Sequence, residues 1–112
     1  MTYTDEQRID KIKNYVDKLI QYVDENEVTR DKIDKDETVR WTLTTPLYNI
    51  GEHVYNLSDE FKEKHTDVPW DKISGLRHRM VHDYDNTNWS IISEIVFKDI
   101  PELQKQLSNL RL

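Results

Sequence analysis

Two arginines, two histidines, an aspartate and a tyrosine crowd into ten residues of this chain, Gly75-Leu76-Arg77-His78-Arg79-Met80-Val81-His82-Asp83-Tyr84. A guanidinium neutralises phosphate oxygens through paired hydrogen bonds, and an imidazole moves protons near neutral pH. Both on one short helix, closely followed by a phenol, point to phosphodiester chemistry more than to core packing. Arg77 and His82 are five residues apart, about 140° around a helix. They can converge only on a cleft met end-on or on a groove between two helices. Spacing alone also allows a plainer arrangement, with Arg77 paired to a carboxylate and His82 capping a helix end.

The surroundings make that segment stand out. The 112-residue chain has net charge −6, 34% charged and 36% hydrophobic residues, eleven aromatics and no cysteine. Its length suits one domain, residues 1–112, with one core. Absence of cysteine excludes disulfides and thiolate metal sites. No apolar run is long enough to span a bilayer and no signal-peptide pattern opens the chain, so a cytoplasmic protein is expected. The acidic total argues against a non-specific nucleic-acid binder. Between Lys72 and His82, however, stand Lys72, Arg77 and Arg79 with no acid among them, whereas Asp24 to Glu37 carries seven carboxylates. The positive charge is local, as a site requires.

With two glycines and three prolines, the composition predicts an all-α domain of five to six helices in an antiparallel bundle. Thr4 and Gln7 form a capping box ahead of Ile9, Ile12, Val16, Leu19, Ile20 and Val23, which predicts a helix from Asp5 to Glu25. A turn follows near Asn26–Arg30. Ile33, Val39, Leu43, Leu47, Ile50, Val54 and Leu57 make a second, longer stripe, in which Pro46 is expected to kink or break the helix. Ser58 starts a short helix holding Phe61. His65 to Pro69 is a loop. Trp70 or Asp71 opens the helix bearing Arg77, ending near His82 or Tyr84. After the turn cluster Asp85–Asn88 come Ile91, Ile92, Ile95 and Val96. Asp99 before Pro101 then predicts a further helix start, with Leu103, Leu107 and Leu110 inward. Trp41, Trp70 and Trp89 read as core or interface anchors, and Tyr15, Tyr22, Tyr48 and Tyr55 as packing.

Arg77 through Tyr84 resembles the R-x-x-x-x-H-x-Y motif of HEPN-superfamily toxins of the HepT type. Leu47 through His53 resembles that family's "IGE" helix, Val68 through Arg77 its "PW-x-x-I-x-G-x-R" lead-in, and Asp99 through Leu103 its "D-L-P-x-L" element. The resemblance implies a helical homodimer that cleaves RNA without a metal or other cofactor. It implies a small MntA-like nucleotidyltransferase antitoxin that adds AMP to the motif tyrosine. Carried onto this chain, Arg77 and His82 are catalytic and Tyr84 is modified; His78, Arg79, Lys72 and Glu52 support the site or bind substrate. The family often has Asn after the motif arginine, where this chain has His78. Gly51 reads as a point of close helix approach, and Glu52 as a partner for Arg77 or Arg79, or else as a surface carboxylate.

Elementary chemistry agrees with that assignment. RNA cleavage by the ribose 2′-OH needs a base, an acid for the 5′-oxygen, and cationic donors for the phosphorane. A single His82 cannot supply both proton transfers, whereas two copies meeting in one cleft can. Competing readings are a non-catalytic HEPN module that pairs with a nucleotidyltransferase, and an HD-type metal phosphohydrolase. The latter would use His78, His82 and Asp83 with His53 or His65 and Asp99.

Overall fold

A computed structural model of the chain describes residues 2–81 and 84–110. Its elements are α1 (Asp5–Glu25), α2 (Arg30–Lys35), α3 (Glu37–Tyr55), α4 (Asp59–Lys64), α5 (Trp70–Ser74), α6 (Leu76–Val81), a 3-10 turn (Tyr84–Asn86), α7 (Trp89–Glu94), a π-helical stretch (Ile95–Asp99) and α8 (Ile100–Ser108). Among the described residues there is no strand and no helix long and apolar enough to cross a membrane. The all-α bundle expected from composition is the fold observed.

Local chemistry sets the helix starts. Thr4 and Gln7 close the capping box of α1, and Thr29, Asp36, Ser58 and Asn88 cap α2, α3, α4 and α7 through their side chains. Glu27 holds the turn after α1 with φ of 48°, the left-handed conformation that ends a helix.

α3 is the central element, flanked by α1 on one side and by α5 and α6 on the other. α1 and α3 run antiparallel: Asp5 accepts from the Ser58 backbone N–H and hydroxyl just beyond the end of α3, and Arg8 meets His53. Farther along, Tyr15, Lys18 and Tyr22 face Thr42 and Pro46. α8 covers the other side of α1. The shared core comprises Ile9, Ile12, Val16 and Leu19 of α1; Leu43, Leu47, Ile50 and Val54 of α3; Ile73, Leu76 and Met80 of α5 and α6; and Ile92, Ile100, Leu103 and Leu107 of the C-terminal run.

Three expectations are corrected or refined. Ile33 belongs to its own helix, α2, because Asp36 leaves helical geometry to cap α3. Arg40 then ties the two together, donating to the carbonyls of Ile33 and Asp34 and lying 4.9 Å over the Trp89 ring. Pro46 does not break α3, which is one helix from Glu37 to Tyr55. A mid-helix proline costs about 3 kcal/mol, and Leu43, Leu47 and Ile50 around it are fully buried, each worth about 1.5–3 kcal/mol. Asp99 stands at the start of α8 with Pro101 in its first turn, as expected, but its backbone is helical and it makes no side-chain cap, so the π stretch joins α7 to α8 without a loop. Pro101 lacks the N–H for a regular turn, and the π stretch immediately before it absorbs the irregularity.

Candidate functional site

Arg77 lies in the first turn of α6, immediately after Gly75 closes α5 and Leu76 enters the core. Its position relative to α3 is fixed by Gly51. A Cβ at that position would lie 2.6 Å from the Arg77 backbone nitrogen and 3.1 Å from the Leu76 Cβ. Glycine therefore lets the α6 backbone rest directly on α3, which brings the next residue, Glu52, within reach of Arg77.

The Arg77 Nε donates to Glu52 Oε2 at 2.8 Å. The same oxygen accepts from the Tyr48 hydroxyl at 3.1 Å, while Oε1 accepts from Asn56 at 3.0 Å. The Tyr55 ring lies under the guanidinium, 4.2 Å from centroid to carbon. Three donors, one of them a cation, converge on one carboxylate. Its pKa falls below the usual carboxylate range, chiefly through the Arg77 hydrogen bond and further through Tyr48 and Asn56, with partial burial opposing. Glu52 raises the pKa of Arg77 in return and, by holding the hydroxyl proton, that of Tyr48. The Arg77 side chain stays 35% exposed, so the fork is anchored yet open to solvent.

Of the predicted residues, Arg77 and Glu52 meet; Glu52 pairs with Arg77, as one of its two anticipated partners. Lys72 turns elsewhere, forming an ion pair with Asp99 at 3.0 Å. His78 is exposed and Arg79 half-buried on α6, and the Arg79 carbonyl accepts from Thr87. Tyr84 packs edge-on against Trp89 at 5.3 Å, and its hydroxyl is buried with no hydrogen-bond partner among the described residues. His82 and Asp83 lie outside the described residues. His53 and His65 are engaged apart from this site, His53 with Arg8 and Tyr15 and His65 with Phe61.

Tyr48, Tyr55 and Asn56 escaped the sequence reading as site residues. Tyr55 is corrected from packing to site: it is 54% exposed and faces Arg77. The available signal was positional, since Tyr48, Glu52, Tyr55 and Asn56 share one side of α3. Trp41, on the same side, is 57% exposed and so is no core anchor, whereas Trp70 and Trp89 are buried as expected. Tyr55 against Arg77, Val81 (53% exposed) one turn beyond it on α6, and Trp41 about 21 Å from Tyr55 along the same side of α3 are exposed apolar side chains.

Comparison with known proteins places this geometry in context. Residues 6–110 match the family model described as ribonuclease HepT-like. An RNase candidate of Caldanaerobacter subterraneus subsp. tengcongensis is 43% identical over 76 residues, 68% of each chain. An RNase candidate of Methanocaldococcus jannaschii is 33% identical over 85 residues, covering 76% of this chain and 70% of its own. A candidate ribonuclease HepT of Thermococcus cleftensis is 28% identical over 76 residues, covering 68% of this chain and 69% of its own. No solved structure matches the chain significantly.

Proposed function

The chain belongs to the HepT-like ribonuclease family, and from that premise we propose that it is a metal-independent endoribonuclease toxin that works as a homodimer. The observation that carries the reading is the Arg77 guanidinium, fixed through Nε by Glu52 and left partly open to solvent. A guanidinium anchored at one edge presents its terminal N–H groups as a preset fork for two phosphate oxygens. Preset donors stabilise the charge of a phosphorane without reorganising during the reaction.

In the proposed reaction one His82 takes the proton of the ribose 2′-OH, whose oxygen attacks phosphorus. The bond from phosphorus to the 5′-oxygen breaks, and the second subunit's His82 protonates the departing oxygen. The products are a 2′,3′-cyclic phosphate and a free 5′-hydroxyl. Supporting the dimer are exposed apolar side chains, Tyr55 against Arg77, Val81 one turn along α6 and Trp41 farther along the same side of α3, which a second copy would cover while adding its own Arg77 and His82. A partner nucleotidyltransferase antitoxin switches the enzyme off by transferring AMP from ATP to the Tyr84 hydroxyl with release of pyrophosphate, once that buried hydroxyl has turned outward from Trp89, placing bulk and negative charge beside the cationic cleft.

The test is cleavage of RNA by the purified protein in EDTA. The parent protein cuts, and Arg77→Ala and His82→Ala each lose about 100-fold to 10,000-fold in rate. Full activity in either variant, or cleavage that requires added metal, overturns the assignment. Tyr84→Phe still cuts, and after incubation with the nucleotidyltransferase and ATP its intact mass shows no added AMP.

A further inference from the structure

α1 is electrostatically two-sided. At about 100° per residue, Arg8, Lys11, Tyr15, Lys18 and Tyr22 fall within about 80° of one another. They form a stripe about 21 Å long. No carboxylate interrupts it, although the chain as a whole carries −6. Asp10, Asp17 and Asp24 project from the far side of the same helix, where Asp17 and Asp24 rim a groove against Val96, Phe97 and Pro101.

The cationic stripe borders α3. Arg8 Nη1 donates to His53 Nδ1 at 3.2 Å. Burial, reinforced by the charges of Arg8 and Lys11, lowers the His53 pKa and keeps the ring a neutral acceptor there. The His53 ring stacks on Tyr15 and meets the edge of Tyr3, whose own ring lies under Arg8 at 5.4 Å and Lys11 at 4.6 Å. Farther along, Tyr15, Lys18 and Tyr22 line an open apolar groove of about 200 Å³ with Thr42 and Pro46. His53 directly follows Glu52, and successive helical residues point about 100° apart. Glu52 therefore faces α6 and holds Arg77, while His53 faces α1 and meets Arg8. The stripe begins one residue from the arginine anchor, on the neighbouring side of α3.

Cations spaced along a groove and interleaved with aromatic rings are what a sequence-tolerant single-strand track needs, charges for the phosphates and ring faces for unstacked bases. We propose that the Arg8–Lys11–Lys18 edge of α1, with Tyr3 and Tyr22, binds the single-stranded RNA flanking the bond that Arg77 grips. The inference rests on RNA being the substrate. It assigns to α1 the capture of flanking nucleotides, and it explains how a chain of net charge −6 retains a polyanion: between Arg8 and Tyr22 no carboxylate enters the stripe, and Asp10, Asp17 and Asp24 project from the other side of the helix.

Binding of a fluorescein-labelled single-stranded RNA, followed by anisotropy across a salt series in a His82→Ala background, tests the track without cleavage. Replacing Arg8, Lys11 and Lys18 together with alanine weakens binding on the order of 10- to 100-fold near physiological salt. It also flattens the slope of log affinity against log salt by about 2, three phosphate contacts at about 0.7 each. Tyr3→Ala, at a ring 40% exposed, weakens binding about 5-fold or more without changing that slope. The control removes Lys35, Lys64 and Lys105, exposed cations elsewhere with the same total charge, and leaves the slope within half a unit of the parent. Equal losses from both triple variants reduce the effect to net charge and overturn the track; so does parent-like binding by the α1 variant. Circular dichroism confirms that each variant is folded. A protein that binds through α1 yet cuts no RNA defeats the nuclease assignment alone, whereas one that cuts RNA with an indifferent α1 edge defeats this inference alone.

Discussion

Arg77 does its proposed work only if its fork is aimed, and Glu52 aims it. One carboxylate accepts from Arg77, Tyr48 and Asn56, and its lowered pKa keeps it charged throughout the neutral range. Because both partners are partly exposed, the pair contributes little to folding, while orientation at the reacting phosphate is sensitive to shifts of about 1 Å, which can cost about 100-fold in rate. Glu52→Ala should therefore lower kcat for RNA about 10- to 100-fold with its urea midpoint almost unmoved. Glu52→Gln, which still accepts from Nε but lacks the charge, should fall between. Single-turnover cleavage beside urea titration reads both quantities; a Glu52→Ala enzyme as fast as the parent removes Glu52 from the positioning role.

At the scale of elements, the site depends on a contact between backbones. Gly51 has an ordinary helical φ, so its value lies in space and not in conformational freedom. A methyl group 2.6 Å from the Arg77 nitrogen must push α6 away from α3. Gly51→Ala should lower stability by about 1–3 kcal/mol despite alanine's better helix propensity, and it should slow cleavage because Arg77 moves from Glu52. Urea unfolding and cleavage rate check the two together; a stabilised, fully active variant refutes the close approach. Much of this was legible in the sequence. The caps at Thr4 and Ser58 and the stripes of α1 and α3 are local signals, and Gly51-Glu52 stood out beside the arginine motif. What remained hidden depended on tertiary choice. Whether Pro46 breaks α3 is decided by how fully Leu43, Leu47 and Ile50 are buried. Whether Asp99 caps a helix is decided by its pairing with Lys72 and the π stretch ending there. Tyr55 carries the same helical periodicity as a packing residue, and only the position of α6 makes it the platform under Arg77.

For the whole molecule, the exposed apolar side chains and the proton requirement of RNA cleavage converge on one arrangement. Tyr55 under the arginine, Val81 one turn along α6 and Trp41 farther along α3 leave apolar surface in water, an expense that a lone 112-residue chain has no structural need to bear. A twofold contact there would bury that surface and set two copies of Arg77 and His82 around one groove. Such an isologous patch meets itself, so one added charge per chain becomes two like charges across the interface. Trp41→Glu with Val81→Glu should therefore shift sedimentation from twice the 13.5 kDa chain mass to that of a single chain and reduce cleavage to the level of His82→Ala. Both substituted side chains are exposed in the protomer, so its fold should be retained, with the urea midpoint of the monomer independent of concentration. A variant that sediments as a single chain yet cuts RNA at the parent rate would place both proton transfers within one subunit and end the case for a shared groove.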